Sequence, residues 1–166
     1  RPIKGTRPRS TDPIADRANA AAQLANDKER AENLMIVDLL RNDLGRVAET
    51  GSVQVPELHA LHSFSTVHHL VSTVTARLRP GLSALDLVKA CFPGGSVTGA
   101  PKIRAMEVID EVEAGRRGPY CGAIGWFGLD GAMELSGAIR TITVTPTSGG
   151  AGTGPDAKTA CAGVTS

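Results

Sequence analysis

The sequence carries almost no net charge: 18 Lys and Arg stand against 17 Asp and Glu, a formal +1. That balance excludes a broad field for nucleic acid or an anionic membrane, so any anion must be held locally. No apolar run approaches the roughly 18 residues of a membrane span, and the N-terminus has no apolar core of the signal-peptide kind. A soluble, cytoplasmic protein without nucleic-acid or membrane partners is the expectation. Cysteine is also scarce. Cys91, Cys121 and Cys161 are widely spaced and form no CxxC pair, which excludes a disulfide framework and fits buried thiols in a reducing compartment. An initiator Met is missing and the chain begins within a strand-loop pattern, so a piece of a longer protein is expected.

Apolar residues make up 41% of the 166, enough for a core. Thr11-Asp12-Pro13 reads as a helix start, with a capping side chain and Pro in the first turn. An apolar stripe without internal Gly or Pro then predicts one helix over 16–42, ending by Gly45. Residues 51–56 read as a short strand. Residues 62–78 alternate and are rich in β-branched side chains, predicting a strand on which His68 and His69 point to opposite faces. Residues 83–92 form a compact helix, and 92–102 a loop broken by Gly and Pro. From Pro101 a further helix carries Ile103, Met106, Ile109 and Val112 at helical spacing. Residues 119–144 read as a hairpin around Asp130-Gly131. The pattern is α+β. Residues 145–166 have no periodicity and little apolar surface, and are expected to be a disordered tail that matches nothing before it.

Several residues have chemical potential, each with a plain alternative. Glu29 and Glu32, three apart on a helix, present two carboxylates that suit a hard cation such as Mg²⁺, although any solvated helix face looks similar. The loop GGSVTGAPK offers backbone N–H groups and the hydroxyls of Ser96 and Thr98, with a helix start behind them, and suits a carboxylate or phosphate. It matches neither a dinucleotide fingerprint nor a P-loop. His69 is a candidate acid or base, or a structural histidine. Arg140 interrupts an apolar strand and needs an anion if it faces inward. Tyr120, the only tyrosine, opens the preceding strand. Lys4 in RPIKGT is a surface charge, an anion clamp or a nucleophile.

The order of these stretches is more telling than any one. PIKGT, KERAENLMIVDLLRNDLGRV, TVHHLVST, CFPGGSVTGAPKIRAMEVIDE, RRGPYCGAIGW and AIRT, over residues 1–144, resemble the chorismate-binding catalytic region shared by anthranilate, isochorismate, salicylate and aminodeoxychorismate synthases. The resemblance implies part of a two-sheet α/β sandwich, incomplete at both ends, with its site between the sheets. PIKGT is similar to the aminodeoxychorismate synthase component I branch, where anthranilate synthases typically read PIAGT. That branch replaces the C4 hydroxyl of chorismate with an amino group, on the path to 4-aminobenzoate and folate.

The resemblance implies roles residue by residue. Lys4 attacks C2 as the C4 hydroxyl leaves, and ammonia then attacks C4 and expels it; two displacements replace one difficult substitution. Only a neutral amine can do this, which asks for burial or a cationic neighbour and argues against a nearby Asp or Glu. Glu32 matches a Mg²⁺ ligand and Glu29 a second carboxylate of that site. His69 matches the group that protonates the leaving hydroxyl. Gly5, Thr6, Ser96, Thr98, Gly99, Tyr120 and Arg140 match the substrate-binding loop and contacts, the last two facing the enolpyruvyl carboxylate. Ammonia is expected from a glutamine amidotransferase subunit or fused domain. The family's SPE-type glutamate and its DPxxEYxE carboxylates are not in this sequence, and Gly137 replaces a bulkier aliphatic, which is expected to weaken local packing. A frame change or truncation at the tail, amination at C2 as in anthranilate synthase, and a non-catalytic remnant stay open alternatives.

Overall fold

The computed structural model describes residues 1–142, in two compact units, Arg1–Val108 and from Ile109 onward. The expected tail at 145–166, with Cys161, lies outside the described residues.

The first unit is a three-stranded antiparallel sheet with helices packed on it. Strand β1 (Ile3–Pro8) and strand β2 (Gln54–Ser63) flank the central strand β3 (Val67–Thr75). Helices α1 (Pro13–Leu24) and α2 (Asp27–Gly45) contact β1 and β3. Asp12 caps α1 by accepting from the Ile14 N–H at 3.0 Å, with Pro13 at the first helical position. The single helix expected over 16–42 is two. Asn26 accepts from the Glu29 N–H at 3.2 Å and starts α2 afresh, so a second cap outcompetes continuation through Ala25.

The strand expected over 62–78 is likewise divided. Its first two residues end β2, the Phe64 N–H donates to the Val67 carbonyl at 2.8 Å across the turn, and β3 follows. Strand β2 begins at Gln54 rather than Gly51 and reaches Ser63, with register shifts on the way. His68, Leu70 and Ser72 face the helices. Leu70 of β3 and Ile36 and Val37 of α2, which packs on that strand, are all essentially buried. Asn33 of α2 closes a polar seam: Ser72 Oγ donates to Asn33 Oδ1 at 2.5 Å, while the Ser72 N–H donates to the Pro2 carbonyl at 3.0 Å. The seam fixes the height of α2 over the sheet, because a buried polar side chain must find its partner.

Helix α3 (Ala84–Cys91) starts with the Ser83–Asp86 capping box, and the loop after it contains one helical turn, α4 (Gly95–Thr98). Helix α5 (Lys102–Val112) follows; its apolar residues Ile103, Met106 and Val112 are exposed rather than buried. In the second unit, strands β4 (Ala123–Phe127) and β5 (Met133–Gly137) form the expected hairpin, with Gly131 at φ +85° in its turn. Gly137 ends β5 with open space where a side chain would stand. Cys91 and Cys121 are half-buried free thiols rather than fully buried ones; burial, then the Asp43 carboxylate, push the Cys91 thiol up. Among the described residues no helix is long and apolar enough to cross a membrane.

Candidate active site

Lys4 sits at a bulge. The register pairs Lys4 with Leu70 and Thr6 with His69, so Gly5 is the extra residue, and its φ of +82° is open to glycine at little cost. Leu70 and His69 are neighbours on β3, and their side chains leave opposite faces. Lys4 therefore shares the helix face with α2, whereas Thr6 and His69 share the other.

On the helix face, Lys4 Nζ stands 3.9 Å from Glu32 Oε2. Glu29, one turn earlier on α2, accepts through Oε2 from Gln23 Nε2 at 2.7 Å. A Cβ added to Gly5 would collide with the Gln23 amide and the Glu29 carboxylate, so the bare glycine admits both. Lys4, Gly5, Glu29 and Glu32 are thus gathered in one place. The charge paired with Lys4 is an anion, not the cationic neighbour that the sequence argument asks for. Both glutamates are hard oxygen donors suited to Mg²⁺, and the Oε1 of each has no partner among the described residues. Among the described residues no group of three or more His, Cys, Asp or Glu gathers at metal-holding distance.

On the other face, the Thr6 hydroxyl and His69 Nδ1 are 2.9 Å apart, and Phe64 meets the imidazole edge-on at 5.5 Å. If Thr6 donates, the ring proton stays on Nε2, the tautomer a proton donor needs.

The loop residues lie farther along α2. Gly95 is buried against Leu39, where a side chain would collide. Lys102 donates to Asp43 Oδ2 at 2.5 Å and to the Cys91 carbonyl at 2.9 Å, fastening the loop's end to α2 and α3. Ser96 is exposed, and the Thr98 hydroxyl donates to the Gly94 carbonyl at 3.1 Å. Gly99 takes φ +140°, with Ala105 close by. At 1.5 Å per residue, Leu39 lies about 15 Å along the helix from Glu29 and about 10 Å from Glu32.

Tyr120 and Arg140 belong to the second unit. Tyr120 lies in a turn ahead of β4 instead of opening the strand. Arg140 is exposed at φ +51° in a bend and lies on no strand. The ladder stops because its partner turns away: the Gly122 N–H donates to the Pro119 carbonyl at 3.0 Å, and Ala138 makes the last cross-hairpin bonds.

Two neighbours carry almost no signal in the sequence pattern. His68, buried, holds Ser63 Oγ at 2.8 Å through Nδ1 and Asp16 Oδ1 at 3.1 Å through Nε2. Arg9 Nε donates to both Asp16 oxygens, at 2.9 and 3.1 Å. Gln23 is the other, and only a polar residue interrupting the apolar stripe of α1 marks it.

The family described as chorismate binding enzyme matches residues 1–155. Aminodeoxychorismate synthase component 1 of Salmonella typhimurium is 61% identical over 145 residues, covering 87% of this chain and 32% of that protein. An anthranilate synthase component 1 of Haloarcula marismortui is 55% identical over 141 residues, covering 85% of this chain and 29% of its own length. The crystal structure of anthranilate synthase component I from Streptococcus pneumoniae superposes with a TM-score of 0.71 at 50% identity, over 76% of this chain and 29% of that one. The chain spans about a third of the length of these relatives.

Proposed function

The chain belongs to the chorismate binding enzymes, and from that premise we propose that it is part of the catalytic region of an aminodeoxychorismate synthase component 1, aminating chorismate at C4 for 4-aminobenzoate and folate synthesis. The observation that carries the reading is Lys4 itself, placed at a glycine bulge beside the carboxylates of α2.

In this reading the Lys4 amine attacks C2 of chorismate as the C4 hydroxyl departs. Ammonia then adds at C4 and the C2–N bond breaks, returning the lysine. The ion pair to Glu32 has to open first, because only the neutral amine is nucleophilic. His69, which the resemblance matches to the group that protonates the departing hydroxyl, stands with Thr6 on the sheet face opposite Lys4, so that proton is assigned to His69 by the resemblance and not by this geometry. Glu29 and Glu32 would hold Mg²⁺, which when bound supplies positive charge against the ring carboxylate. Roles for Ser96, Thr98 and Gly99 in substrate binding, and for Tyr120 and Arg140 toward the enolpyruvyl carboxylate, rest on the resemblance alone. Ammonia comes from a glutamine amidotransferase subunit or domain, and the setting is the cytoplasm.

The covalent step has a direct test. The intact protein that carries this chain is mixed with chorismate and Mg²⁺ without ammonia, acid-quenched and peptide-mapped. The expected result is a Lys4 peptide heavier by chorismate less water. A labelled peptide elsewhere, with Lys4 unmodified, would sink the assignment.

A further inference from the structure

Gln23 lies in the last turn of α1 and is fully buried. Half of its carboxamide is committed: Nε2 donates to Glu29 Oε2 at 2.7 Å, whereas Oε1 is buried with no partner among the described residues. The orientation is set by chemistry, since the reversed amide would turn its oxygen toward a carboxylate. An apolar side chain of similar volume would leave no orphaned acceptor, so packing alone does not account for a glutamine here.

The same contact includes the bulge. A side chain on Gly5 would strike both the Gln23 amide and the Glu29 carboxylate, so α1, α2 and the backbone beside Lys4 meet at this one hydrogen bond. A neutral donor also does what an arginine or lysine would not. It fixes one oxygen of Glu29 and leaves the negative charge uncancelled. Glu32, one turn on, carries the pair to Lys4 instead.

We propose that Gln23 is a positioning residue that holds Glu29 through Oε2, so that Oε1 stays anionic and set for a divalent cation. The proposal rests on the reading of Glu29 and Glu32 as Mg²⁺ ligands. Groups that orient a metal ligand change metal affinity by about 10- to 100-fold when removed. Gln23→Leu and Gln23→Met, both without a donor, should weaken Mg²⁺ binding by about that factor. Their metal-free unfolding midpoints should stay at or above wild type, because the orphaned acceptor is gone.

The experiment is calorimetric titration of Mg²⁺ into the intact protein, for wild type, Gln23→Leu, Gln23→Met and Glu29→Gln, with thermal unfolding in chelator alongside. Weakened binding in the Gln23 variants at an undiminished midpoint supports the proposal. Wild-type affinity in them while Glu29→Gln is weakened overturns it, as does a lowered midpoint in both, which would make the amide a support of the fold alone. Failure of the underlying reading looks different: wild type binds no Mg²⁺, or Glu29→Gln binds as wild type does.

Discussion

At the scale of single residues, Gly5 and Asp16 carry the sharpest consequences. Gly5 combines φ +82° with a site where a side chain meets the Gln23 amide and the Glu29 carboxylate. Gly5→Ala should cost about 1–2 kcal/mol for the left-handed backbone and should also push Glu29 out of place. Thermal unfolding checks the first effect and Mg²⁺ titration the second; an alanine variant normal in both would mean that the bulge is not needed. Asp16 is held well below the usual carboxylate range, chiefly by the Arg9 guanidinium and then by the Ser10 N–H, with His68 contributing less. A carboxyl depressed on folding stabilises the protein above its unfolded pKa of about 3.9, and the stabilisation fades as pH falls below that value. Unfolding midpoints of wild type and Asp16→Asn should differ most near pH 6, and the gap should narrow only as pH falls from about 4 toward 2. A gap unchanged across that range would contradict the assignment.

At the scale of elements, α2 organises the unit. Its first turns bear Glu29, Glu32 and Asn33, and its last holds Asp43, buried and paired with Lys102. Lys102→Met leaves a buried carboxylate without its cation and should destabilise by about 3–5 kcal/mol, whereas Asp43→Leu with Lys102→Met should recover most of that loss. Chemical denaturation of the single and double variants checks it; equal losses in both would mean that the cost is not that of an orphaned carboxylate. The sequence shows α3, the Asp130-Gly131 hairpin and the first cap at Asp12, because each depends on neighbours along the chain. The break between α1 and α2 was legible in principle: Asn26 precedes Glu29 by three, a capping pattern within an otherwise continuous stripe. The end of β5 short of Arg140 was not, since it depends on where the opposing chain turns at Pro119–Gly122. Nor does any spacing rule link His68 to Asp16, 52 residues apart.

At the scale of the molecule, the proposed residues fall in both units, with Lys4, His69 and the two glutamates in the first and Tyr120 and Arg140 in the second. The chain spans about a third of its relatives, so the proposed reaction belongs to the intact protein that carries it. Lys4 is the residue on which the choice between C4 and C2 amination turns, and it is read from PIKGT and placed by the bulge. The most direct test gives wild type and Lys4→Ala chorismate, Mg²⁺ and ammonium and resolves the products by chromatography and mass. Wild type should form 4-amino-4-deoxychorismate, with Lys4→Ala reduced by about a hundredfold or more. Wild type that forms anthranilate alone, or Lys4→Ala that forms the C4-aminated product at the wild-type rate, would contradict the account.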